Sequence, residues 1–125
     1  MILLKRQLEV KRDIERVAEA LHVSPLWAVS VAMVESSLGE KQKSPTGCRG
    51  VFQMSGIAMK DLLQAMTETD DDFIDIACGL AFLRLLLSRH KTIEAATAKF
   101  CDPADRDFYV DKVLAYIKVF GKEDL

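Results

Sequence analysis

The chain is poor in the residues that hold small secreted proteins, metal sites and membrane proteins together. Its three cysteines, Cys48, Cys78 and Cys101, are an odd set without a Cys-x-x-Cys pair. That pattern argues against a disulfide framework or a zinc site and for reduced thiols, with Cys78 on an apolar helical stripe as a core residue. His22 and His90 stand alone near expected helix ends, where a cation is favoured, so no metal is implied and no cofactor. The longest apolar stretch, Ile76 to Leu87, is broken by Gly79 and Arg84 and falls short of the ~20 residues of a spanning helix, so no membrane-spanning segment is expected. Neither sign of charge dominates. With 17 Lys+Arg against 19 Asp+Glu and a net charge of -2, the whole-chain field offers nucleic acid no attraction. The opening Met-Ile-Leu-Leu turns at once to charged residues and lacks the apolar centre of a secretory signal. With this start, any export is expected to use another route.

Only three prolines and six glycines punctuate 125 residues, half of which are hydrophobic and 29% charged, the balance of a globular chain. Area scaling gives roughly 6,700 Å² exposed when folded against about 20,000 Å² unfolded, so two-thirds burial in a single domain over residues 1–125 is expected. Lys5 to Leu21 repeats apolar residues at Val10, Ile14, Val17 and Leu21, the spacing of an amphipathic helix. Ser24-Pro25 supplies an N-cap and first-turn proline for a second helix, Leu26 to Leu38, apolar nearly all round and stopped by Gly39. It reads as the buried centre. Glu40 to Ser55 carries Pro45, Gly47 and Gly50 around Val51-Phe52, as a short loop or β-hairpin. Helical spacing returns at Ile57 to Met66. Asp70 to Asp72 opens a helix to about Arg89, Thr92 caps one to about Phe100, and Asp102-Pro103 opens a last helix with Phe108, Val113, Ile117 and Phe120 before Gly121. The fold class is therefore all-α, about six helices in one compact domain.

Glu35 is the carboxylate out of place, near the C-terminal end of the most apolar helix. Burial and the helix dipole would both favour its protonated form there, as a general acid requires, the competing reading being that the helix exposes one edge at its last turn and leaves Glu35 in water. Read with Ser36, and with Ser44-Pro45-Thr46-Gly47-Cys48-Arg49-Gly50-Val51-Phe52-Gln53-Met54, it resembles the soluble lytic transglycosylase catalytic domains of the lysozyme superfamily, relatives of goose-type lysozyme. These carry a Glu-Ser pair at a helix end and, nine to fifteen residues later, a Ser-Pro-x-Gly-Ala-x-Gly-Leu-x-Gln-Met-like segment. Ile76-Ala77-Cys78-Gly79-Leu80-Ala81-Phe82-Leu83 resembles the family's Ile-x-x-Gly-x-x-Tyr-Leu helix, and Tyr109-Val110-x-x-Val113 its Tyr-Val-x-x-Val. The likeness covers roughly Val23 to Lys118.

The resemblance implies an α+β lysozyme-like variant of the helical fold and peptidoglycan glycan strands as substrate. Glu35 becomes the single catalytic acid and base, cleaving the MurNAc-β-1,4-GlcNAc bond to leave 1,6-anhydro-MurNAc ends. Gly50 to Met54 becomes a strand lining the sugar cleft, with Ser36, Ser44, Gly50, Phe52, Gln53, Met54, Phe100 and Tyr109 as substrate contacts. Gly50 permits a tight turn and Gln53 offers donor and acceptor to a sugar, although a loop-bracing amide is the competing reading. Ala98-Lys99-Phe100-Cys101-Asp102-Pro103 departs from the family's Ala-Tyr-Asn-Ala-Gly, so the family's tyrosine hydroxyl is missing there and Tyr109 is the substitute. Cys48 and Cys101 fall in loops near the implied site, and whether they pair depends on Cα separations. Two alternatives stay open: a catalytically weak or inactive peptidoglycan-binding module, and a hydrolytic lysozyme with a second carboxylate not identified in the sequence.

Overall fold

The computed structural model describes residues 1–68, 70–100, 104 and 106–123. Six α-helices run in order: α1 (Lys5–Ala20), α2 (Pro25–Ser36), α3 (Gly56–Glu68), α4 (Asp72–His90), α5 (Ile93–Phe100) and α6 (Arg106–Glu123). No strand is present among the described residues. Among them two isolated antiparallel bridges occur, Lys43 with Arg49 and Arg49 with Met54, so the class is all-α as expected. None of the described helices is long and apolar enough to cross a membrane. The chain divides into two compact units, Met1–Ile74 and Asp75–Leu125.

The first unit is built on α1 and α2. Val10, Ile14 and Ala18 of α1 meet Ala28 and Ala32 of α2, with Leu38 completing the cluster and Leu3, Val29, Met33 and Val51 packed around it. The alanines let the two helices approach closely, which is how a core of few large side chains is made. The buried stripe of α1 is Gln7, Val10, Ile14, Ala18. It therefore differs from the expected one at its C-terminal half, where Val17 points to solvent. Ser24 caps α2 as expected: its Oγ accepts from the Trp27 amide at 3.2 Å, ahead of Pro25 in the first turn.

The expectation that α2 is buried all round is corrected. Only Ala28, Ala32 and Ser36 are buried, while Leu26, Trp27 and Val34 are exposed. An apolar sequence face is a demand for a partner, and α1 covers one side of a twelve-residue helix. α3 likewise has no buried residue.

In the second unit α5 packs on α6, burying Ala96 and Val110, and Leu86 is the buried residue of α4. Thr92 Oγ1 accepts from the Ala95 amide at 3.1 Å, the expected cap of α5, and Asp71 accepts from the Phe73 amide at 3.0 Å ahead of α4. One expectation for the last helix is corrected: Gly121 does not end it, since α6 runs on to Glu123. Phe108, Ile117 and Phe120 of this helix are exposed. Asp102 and Pro103, the expected start, lie outside the described residues.

Candidate functional site

Glu35 occupies the last turn of α2 and is exposed. Of the two readings of the sequence, the second holds: α2 exposes an edge at its last turn, and the edge that carries Glu35 is not the edge packed on α1. Its carboxylate enters no ion pair or hydrogen bond among the described residues.

The next residue is the reverse. Ser36 is 1% exposed, and its Oγ lies 2.5 Å from the Val51 carbonyl and 3.2 Å from that of Ala32, while accepting from the Gly39 amide at 2.9 Å. One hydroxyl therefore joins the end of α2, the turn after it and the distal loop. A substrate contact was expected of Ser36. Its hydroxyl is instead spent inside the protein, and its service to the site is to fix Val51 against the helix end that bears Glu35.

The turn after α2 is left-handed at three successive residues, Ser37 (φ 53°), Leu38 (φ 54°) and Gly39 (φ 89°). Glycine tolerates this, but leucine at such a φ costs about 1–2 kcal/mol. Full burial of Leu38, 0% exposed, offsets that cost, since a buried leucine contributes about 1.5–3 kcal/mol. Gln7 secures the same turn from α1: its Oε1 accepts from the Leu4 amide at 2.9 Å and its Nε2 donates to the Ser37 carbonyl at 2.9 Å. This positioning residue escaped the sequence reading. Its signal was there, an amide one helical step before Val10 on the apolar stripe.

Beyond the turn the chain forms a small antiparallel arrangement. The Gly50 amide donates to the Gln42 carbonyl at 3.0 Å and the Ser44 amide to the Cys48 carbonyl at 3.2 Å. Ser44 Oγ accepts from the Cys48 amide at 3.0 Å, so this candidate contact also braces its own turn. Gly50, at φ 87°, supplies the tight reversal foreseen for it. The segment after it is not the expected strand. The Gln53 amide returns to the Gly50 carbonyl at 3.1 Å and Gln53 Nε2 to the same oxygen at 2.8 Å, closing a turn. Gln53 is therefore a loop-bracing amide through its nitrogen, leaving Oε1 as its open acceptor. Phe52 and Met54 are each 38% exposed and flank it, so neither is core.

Phe100 and Tyr109 lie in the second unit, where they share a cavity of about 420 Å³ with Leu83, Leu87, Ile93 and Val113. Phe100 also packs on Phe82, with ring centroids 5.6 Å apart. The structure thus assembles the candidate residues as two groups, Glu35 to Met54 on the first unit and Phe100 with Tyr109 on the second. Cys48 and Cys78 are free thiols, and Cys101 lies outside the described residues. No known protein family, curated protein or solved structure matches this chain.

Proposed function

We propose that the chain is a lysozyme-like domain that cleaves the MurNAc-β-1,4-GlcNAc bond of peptidoglycan as a lytic transglycosylase, acting on the cell wall or in the periplasm. The observation that carries this reading is the Ser36 Oγ to Val51 carbonyl hydrogen bond of 2.5 Å. It ties the helix end that carries an exposed glutamate to a glycine-turned loop whose Phe52 and Met54 are exposed and whose half-buried Gln53 is braced by its own amide. A general acid has to reach its substrate, and a glycan needs an adjoining surface that mixes apolar contact with a fixed acceptor.

In this mechanism protonated Glu35 donates to the glycosidic oxygen, the C1–O bond breaks, and the GlcNAc hydroxyl leaves. The Glu35 carboxylate then accepts the proton of the muramoyl 6-hydroxyl as that oxygen closes on C1. The proton returns to Glu35, and no water is consumed. Hydrolysis would require a second carboxylate on the opposite face of the sugar, about 5–9.5 Å away. Glu40, the next acid in sequence, is exposed and stands in the loop beyond the helix-ending turn.

The non-catalytic binding module is favoured by one feature of the sequence, Ala98 to Pro103, which lacks the tyrosine hydroxyl that the resembled family carries near its acid. Mass spectrometry of products from purified peptidoglycan separates the readings, comparing the wild type with Glu35→Gln. Soluble products one water lighter than hydrolytic ones, lost in the variant, are expected. Reducing-end products would replace the transglycosylase with a hydrolase, and wall binding without products from either protein would replace it with the binding module.

A further inference from the structure

Lys43 and Arg49 face each other across an antiparallel bridge. The flanking hydrogen bonds, Ser44 amide to Cys48 carbonyl and Gly50 amide to Gln42 carbonyl, make this a non-hydrogen-bonded pair. Opposed residues in such a pair project on one face, with Cα atoms about 4.5 Å apart. Two cations so placed repel each other: both are exposed, and neither enters an ion pair among the described residues. Glu40, three residues before Lys43, neutralises neither. The pair is also held rigidly, because Ser44 Oγ and the Gly47 amide close the turn between them. Arg49 is fixed from its other side too, exchanging backbone hydrogen bonds with Met54 at 3.1 and 3.4 Å. Lys43, Arg49 and Met54 therefore form a row on one face, continuous with the Gly50 to Met54 turn.

We propose that Lys43 and Arg49 form an anion site that recognises the ionised carboxylates of the peptide stems on the glycan strand. This rests on the peptidoglycan reading above. The chemistry selects the stem: the strand is built of N-acetyl sugars, and once the muramoyl lactyl group is amide-linked to its peptide the backbone has no ionised group. Any charge recognition must then fall on the stems, which branch from the sugar whose C1 is attacked. Arg49 directly precedes Gly50, so a stem carboxylate held there leaves its muramoyl ring beside the turn carrying Phe52 and Gln53. Bound carboxylate replaces the repulsion of the free pair with two attractions, and the cations act as selectors of substrate and not in the bond-breaking step.

The test compares binding of the wild type, Lys43→Gln, Arg49→Gln and the double variant to two probes by co-sedimentation at low salt. One probe is purified sacculi, and the other is the same sacculi after conversion of stem carboxylates to amides with ammonia and a carbodiimide. Wild-type protein is expected to bind native sacculi more tightly than amidated ones, by about three-fold per cation and about ten-fold for the pair. The double variant should bind both forms alike, with thermal melting no lower than wild type because a like-charge pair has been relieved. Equal wild-type binding to both probes, with anhydro products still released, would overturn the stem site and leave the glycan reading standing. A native preference that survives in the double variant would overturn the assignment to these two residues. Wild-type protein that neither binds nor cleaves either probe would remove the peptidoglycan reading itself.

Discussion

Ser36→Ala removes one oxygen at the point where the α2 end and the distal loop depend on it. The Gly39 amide loses its acceptor at 2.9 Å and the Val51 carbonyl its donor at 2.5 Å. Each hydrogen bond contributes about 0.5–1.5 kcal/mol net, and leaving a poorly solvated partner unmade adds to that, so a loss of about 2 kcal/mol is expected. For a domain of this size that lowers Tm by about 8 °C. Ser30→Ala is the control. Ser30 Oγ also donates to a helix carbonyl, Leu26 at 2.7 Å, but on the exposed side of α2, and its loss should cost under about 0.5 kcal/mol. Urea unfolding followed by far-UV circular dichroism measures both. The variant should also free the loop before it melts the helices, so trypsin should cut faster at the exposed Lys41, Lys43 and Arg49. A Ser36→Ala variant within about 0.5 kcal/mol of the Ser30→Ala control, with unchanged tryptic rates, would refute the role given to this hydroxyl.

Gly39→Ala and Gly47→Ala, both at positive φ, form an internal comparison. A Cβ at Gly39 comes within 3.3 Å of Val10 Cγ2, whereas one at Gly47 meets nothing within 4 Å. Both should destabilise by about 1 kcal/mol for the backbone, with Gly39→Ala costing more by thermal melting. Gly121→Ala is expected to stabilise by about 0.5–1 kcal/mol, because Gly121 lies within α6 with open space around its Cα and glycine is a poor helix former. Gln7→Glu should be worse than Gln7→Ala at pH 7, since it sets a buried carboxylate against the Ser37 carbonyl. The deficit should shrink as pH falls and the new carboxyl protonates, which melting at pH 5 and pH 7 would reveal. Glu35→Gln should leave melting within about 0.5 kcal/mol of wild type, as an exposed side chain without partners, so that any loss of product is chemical in origin.

Helix number and caps were legible in the sequence because they are local, whereas the stop expected at Gly121 was not, since α6 runs past it to Glu123. Ser24-Pro25, Asp71 and Thr92 cap their helices through hydrogen bonds to amides two or three residues away, and Gly50 turns the chain by its own dihedral angles. Position along the chain placed Glu35 at a helix end for the same reason. Burial was not legible to that degree, since it depends on which elements pack and over what area. The apolar circumference of α2 marked it as a centre, yet α1 covers only one of its faces. The sequence likewise offered Ser36 and Gln53 as polar groups for a sugar without saying who would claim them. Val51, Gly39 and Gly50 claimed them first, because each carries a backbone group that the tertiary turn leaves without a helical partner. The pairing of Lys43 with Arg49 is of the same kind. Composition counted the two charges, but only the register of an antiparallel bridge set them side by side.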